Sequence, residues 1–140
     1  MKQYIFSIAT LLLAIGVYAQ KSSTVPVAAK AAFQKAYPHA TKVKWGKEDA
    51  DYEVNFTQAN KEMSAVYSAS GALKETEEDI KLIELPANVF TYIKQHYKGT
   101  AIKEAAKIIK ANGEVNYEAE VNKTDVIFDK DGKFLKEEKD

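Results

Sequence analysis

Two stretches of the chain repeat one pattern of apolar and polar positions. In "VPVAAKAAFQKAYPH", Val25 to His39, the apolar residues Ala29, Ala32, Phe33, Ala36 and Tyr37 recur at helical spacing. In "LPANVFTYIKQHYKG", Leu85 to Gly99, Val89, Tyr92, Ile93 and Tyr97 do the same. Pro26 and Pro86, Phe33 and Ile93, and Tyr37 and Tyr97 are each separated by 60 residues. Proline suits a helix start because the first-turn N–H groups have no helical partner to lose. Pro38 and Gly99 supply the stops. Each stretch therefore predicts one amphipathic helix.

After each helix the period shortens to two. Val43 and Trp45 open an extended segment, Tyr52, Val54 and Phe56 alternate with Glu53 and Asn55, and Met63, Ala65 and Tyr67 alternate with Ser64 and Val66. Ser70-Gly71 turns the chain, and Leu73 returns on a short fourth strand. The second copy runs through Ile102 to Lys110, then Val115, Tyr117, Ala119 and Val121, then Val126 and Phe128, and through the Asp131-Gly132 turn to Phe134-Leu135. Trp45, the only tryptophan, shares parity with Val43 and is expected under the first helix. "DYEVNF" and "NYEAEV" align at an offset of 65, and Gly71 and Gly132 at 61. The second copy is thus five residues longer before its Tyr-Glu strand and four shorter after it, differences assigned to hairpin loops. "KETEEDIKLIE", Lys74 to Glu84, reads as an exposed acidic connector.

One helix on a small meander leaves open edges and apolar surface. Two copies side by side make one antiparallel sheet with both helices on one face. The prediction is an α+β fold: one domain over residues 20–140, built of two repeats at about 24–78 and 84–138.

Residues 1–19 read as a cleavable secretory signal, with Met1-Lys2, an apolar run from Ile5 to Val17, and Val17-Tyr18-Ala19 before a cut at Gln20. Export to a bacterial periplasm or beyond follows. There is no cysteine, so the core alone must hold the fold. Removing the signal takes one lysine with it, leaving a net charge near −1. Every basic residue is lysine, which argues against nucleic acid and against bidentate phosphate recognition. Lys21, Lys30, Lys35, Lys42, Lys44 and Lys47 all precede the first acid, Glu48, as a solvated helix and strand would place them.

The chemistry-bearing motifs are weak. His39 and His96 have no second ligand at metal spacing. "DKDG", Asp129 to Gly132, fails as a calcium loop because Ile127 stands where the first ligand belongs; a hairpin turn fits it better. Asn55-Phe56-Thr57 and Asn122-Lys123-Thr124 match a glycosylation triplet that is common by chance. No nucleophile elbow or phosphate loop is present. An enzyme reading would need facing carboxylates in a cleft, with perturbed pKa values.

Val25-Pro26 with Phe33 and Tyr37-Pro38, Lys44-Trp45, Tyr52-Glu53, Lys61-Glu62-Met63, the Gly71 turn and Glu84-Leu85-Pro86 resemble the PepSY-like, putative beta-lactamase-inhibitor-like proteins exported by Bacteroidetes. The resemblance covers nearly all of the exported chain. It implies tandem helix-and-strand repeats on one sheet and a periplasmic or surface location, and it brings no catalytic residue or cofactor. Lys98-Gly99 in place of Tyr-Pro and the missing second tryptophan depart from strict equivalence of the halves. The expected function is a non-catalytic, inhibitor-like binding module for an envelope protein or peptidase. The open face should present Glu53, Asn55, Ser64, Asn116, Glu118, Glu120 and Asp125, with Val66 and Ile127 as an apolar centre. The second reading is a small-ligand carrier using the groove between sheet and helices.

Overall fold

The computed structural model describes residues 24–139; the expected signal peptide lies outside them. Helix α1 spans Val27–Ala36 and precedes strands β1 (Thr41–Glu48), β2 (Asp51–Gln58), β3 (Lys61–Tyr67) and β4 (Leu73–Asp79). Helix α2, Ala87–His96, precedes β5 (Glu104–Lys110), β6 (Val115–Val121), β7 (Thr124–Asp129) and β8 (Phe134–Lys139). The strands form one antiparallel sheet in the order β1 to β8. β4–β5 pairing, Thr76 opposite Ile109 and Glu77 opposite Ile108, joins the repeats. No β1–β8 pairing closes the sheet into a barrel among the described residues.

Both prolines stand immediately before their helices, and their carbonyls accept the first helical bonds, from Lys30 N–H at 3.2 Å and Val89 N–H at 3.0 Å. Each helix ends where the tyrosine N–H returns to the residue four back, Tyr37 to Phe33 and Tyr97 to Ile93, both at 2.8 Å. The predicted stripes hold at Ala29, Phe33, Val89 and Ile93, which are buried. Ala36 is exposed, contrary to expectation, while the next residue, Tyr37, packs on Phe56 with ring centroids 4.5 Å apart.

The helices share one face. Under α1 lie Val54, Phe56, Ala65 and Tyr67, with Trp45 and Met63 half-buried beside them. Under α2 lie Ala105, Ala119, Val121, Val126 and Phe128. Each fully buried side chain of this size stabilises by about 1.5–3 kcal/mol, and neither helix can collect that alone. Trp45 packs edge-on to Phe33 at 5.6 Å, as its parity predicts. Val43 does not follow it: a register shift between Thr41 and Lys44 leaves it 41% exposed.

Two glycines fasten each meander to its helix. Gly71 (φ +85°) and Gly132 (φ +79°) occupy the equivalent β3–β4 and β7–β8 turns. A Cβ at Gly71 would lie 2.7 Å from the Ala28 carbonyl oxygen; one at Gly132 would lie 2.9 Å from Asn88 Cβ. Asn88 Nδ2 also donates to the Asp131 carbonyl at 2.9 Å.

Two expectations are corrected. The acidic segment after Gly71 is not a connector up to Glu84: its first part, through Asp79, is the central strand β4, and only residues 80–86 connect. β4 lies between the two helices, so its covered-side positions Thr76 and Glu78 need no apolar residue, and the period-two signal is lost. The length difference between the repeats is also only partly in loops. β2–β3 and β6–β7 both turn through two residues with positive φ, Ala59-Asn60 and Asn122-Lys123, as type I′ turns require. The four missing residues come out of the strands, two from each. In the β5–β6 hairpin, the five extra residues split between longer strands and a wider loop around Gly113.

Candidate functional site: the acidic open face

Strand parity decides what the uncovered face carries. Cross-strand partners point to the same side. Reading the register from β2 to β5 gives the row Glu53–Val66–Glu75–Lys110. The next row runs Asn55–Ser64–Glu77–Ile108–Asn116–Asp129. A third carries Asp79–Ala106–Glu118–Ile127–Lys136, and a fourth Glu104–Glu120–Asp125–Glu138. Both helices pack on the opposite side of the sheet from these rows.

All the expected open-face residues lie on this face. Val66 and Ile127 stand at matching places in β3 and β7, but they do not form one centre. Four strand spacings separate them, about 19 Å along the sheet. They are also buried, at 9% and 4% exposure, rather than standing free. The middle of the face is instead held by Ala106 and Ile108 of β5, both buried, with buried Ser64 and Asn116 nearby. Sequence reasoning passed over Ala106 and Ile108 because β5 buries residues on both faces and shows no alternation.

The strand that sequence reading cut short after Leu73 brings the strongest charge. Glu75, Glu77 and Asp79 project from β4 between Glu53 on one side and the β5–β7 acids on the other. Glu75 is ion-paired with Lys110, and Glu120 lies 4.0 Å from Lys103 Nζ. Glu77 has no hydrogen bond or ion pair among the described residues. Burial, then the charges of Asp79, Glu53, Glu75 and Asp125, push its carboxyl up to about 8. Asp79 is pushed to about 6 by desolvation and by Glu62 and Glu104. Glu53 is raised by burial, against hydrogen bonds with Asn55 and Ser64 that pull it down. Asp125 acts on Glu77 from three strands away.

These carboxylates all project from the open-face positions of the sheet. Two cavities lie elsewhere. One of about 610 Å³ sits at the end of the second repeat among Lys107, Tyr117, Asp129 and Leu135. The other, about 460 Å³, opens beside α1 among Phe33, Tyr37, Val43 and Trp45. Asp129 of the "DKDG" segment is held below the ordinary carboxylate range by backbone N–H groups of Lys133 and Asp131, as a hairpin turn explains. No cluster of three or more His, Cys, Asp or Glu side chains suited to a metal ion occurs among the described residues. No helix there is long and apolar enough to cross a membrane.

The model of the family described as "Putative beta-lactamase-inhibitor-like, PepSY-like" matches the chain twice, over residues 18–75 and 50–136. The chain belongs to that family. Solved structures agree with the PepSY-like fold. A protein of Bacteroides eggerthii described as a putative periplasmic protein superposes with a TM-score of 0.72 at 18% identity, covering 81% of this chain and 88% of that one. A DUF2874 family protein of Bacteroides ovatus gives 0.69 at 20% identity, covering 82% and 87%. A BLIP-like protein of Bacteroides fragilis gives 0.59 at 25% identity, covering 79% and 83%. Among curated proteins none matches.

Proposed function

We propose that this PepSY-like chain is a non-catalytic, exported binding module of the bacterial periplasm that takes a protein partner on its open sheet face. The observation that carries this reading is the uncovered face itself. Its buried apolar floor of Ala106 and Ile108 is surrounded by Glu53, Glu75, Glu77, Glu118 and Glu120, with Val66 and Ile127 nearer its flanks. A partly dry centre inside a charged rim is how protein interfaces are built. The periplasmic description of the B. eggerthii protein and the BLIP-like description of the B. fragilis protein support the location and the inhibitor-like character. Export rests on residues 1–19 acting as a signal peptide.

The test is capture from envelope extract with immobilised protein, comparing wild type with Ile108→Lys and with Asn55→Lys/Glu120→Lys. A partner retained by wild type and lost from the folded variants supports the reading. A partner retained equally by all three places binding elsewhere and sinks it.

The cleft of about 460 Å³ beside α1 favours a second reading, a small-ligand carrier. It is apolar and aromatic on its floor, with Lys30 and Gln34 at the rim. Native mass spectrometry of freshly purified protein checks it: a bound mass lost on Trp45→Ala supports the carrier, and bare protein alone removes it.

A further inference from the structure

Glu75, Glu77 and Asp79 project to the open face at alternate positions of β4. Successive same-face side chains of a strand are about 6.7 Å apart, so the three span about 13 Å. Lys110 neutralises Glu75 at one end. Glu77, in the middle, is desolvated and among the described residues lacks both a cation and a hydrogen-bond donor; the charges that act on it there are acidic, Asp79 and Glu75 on its own strand, Glu53 on β2 and Asp125 on β7. Its neighbours across the sheet, Ser64 and Ile108, are buried and bring no positive charge. Holding a carboxyl so placed costs stability unless a positive partner arrives.

Resting on the open-face reading above, we infer that the β4 acidic row is the docking line for an extended, lysine- or arginine-rich segment of an exported protein. Charge complementarity names the occupant. An extended segment presents every second side chain at the same pitch as the row, so cations two positions apart meet Glu77 and Asp79 together, beside the Glu75–Lys110 pair. The approaching ammonium or guanidinium favours ionised Glu77 and drives off its proton. Docking near pH 7 therefore releases protons, and it tightens as pH rises from 6 to 8.

The experiment uses the full exported chain and a fluorescent peptide of alternating lysine and serine, with an all-serine peptide as control. Calorimetry in two buffers of different ionisation enthalpy reads the proton count. The lysine peptide is expected to bind in a salt-sensitive way, to release protons at pH 7, and to lose at least about tenfold in affinity with Glu77→Gln/Asp79→Asn. Proton release should vanish in Glu77→Gln alone. Circular dichroism and Tm confirm folding, and Glu53→Gln serves if the double variant does not fold. Binding of the serine peptide as tightly as the lysine peptide, or unchanged affinity in a folded variant, overturns the inference. An envelope partner that needs Ile108 but is not displaced by the lysine peptide leaves the open-face reading standing and removes the cationic occupant.

Discussion

The two repeats build the same helix-on-sheet frame with different side chains. In the first, rings gather toward β1 and β2: Phe33 touches Trp45, Phe56 and Tyr37, with centroids between 5.0 and 5.6 Å. In the second, Ile93 replaces Phe33, Val121 replaces Phe56 and Ala105 replaces Trp45. Volume returns at the opposite end, where Tyr92 stacks on Phe134 at 4.9 Å and meets Phe128 edge-on at 5.4 Å. Their first-repeat counterparts are Ala32, Leu73 and Tyr67. Both aromatic clusters thus sit on the outer flanks of the sheet, away from the β4–β5 seam. The frame of helix, parity and turn is fixed by the backbone, while the filling is negotiable so long as total volume is conserved.

The comparison breaks most visibly if one half is hollowed. Ile93→Ala should cost about 2–5 kcal/mol. Because the halves share one sheet, Trp45 fluorescence, which reports the first repeat, should shift its urea midpoint together with far-UV circular dichroism. A Trp45 transition unmoved by this change would make the repeats independent units.

The paired glycines come next. Gly71→Ala and Gly132→Ala each force a side chain into a positive-φ turn pressed on a helix start, at about 1–3 kcal/mol. Gly71→Ala should cost more, because it meets a backbone carbonyl at 2.7 Å whereas Gly132 meets the Asn88 side chain first. Equal losses in thermal melts would show that strain in φ dominates over the clash.

A smaller effect separates the open face from the covered one. Glu77 titrates near 8 when folded and in the ordinary carboxylate range when unfolded. Between those values the native state holds more protons, so stability falls as pH rises from about 4.5 to 8. Glu77→Gln should flatten that slope and raise Tm at pH 8 by a few degrees. A wild-type Tm that does not fall across this window would contradict the desolvated carboxyl.

The smallest effect concerns Tyr67, whose buried hydroxyl has no hydrogen-bond partner and is pushed up to about 12 by burial. Its counterpart is Phe128, which has no hydroxyl to satisfy. Tyr67→Phe should therefore be neutral or stabilising by up to about 1 kcal/mol. A loss beyond 1 kcal/mol would reveal a bond to the hydroxyl.

Most of the fold was legible because helical stripes and period-two strands each bury one side against the other. Phe33, Val54, Tyr67, Ile93 and Val126 signal their positions through that single requirement. The length of β4 escaped because none of its residues enters either core cluster, and an acid-rich strand looks like a solvated link. The open-face residues Glu53, Asn55, Glu118 and Glu120 could be read from parity alone. Glu77, which charges the centre of that face, could not, since its placement depends on the pairing of β4 with β5 across the repeat boundary.

The β2–β3 and β6–β7 arms carry a rule about how such chains change length over time. A two-residue primed turn closes the ladder at one hydrogen-bonding phase, and that phase recurs every second pair. Removing one residue from each strand would keep the turn but put it on the wrong phase and swap inner for outer side chains at the tip. Removing two from each restores both. These arms can therefore grow or shrink only in steps of four residues. The shorter second arm is one such step, and a four-residue graft into either tip would lengthen the rim of the open face while leaving the core beneath the helices unaltered.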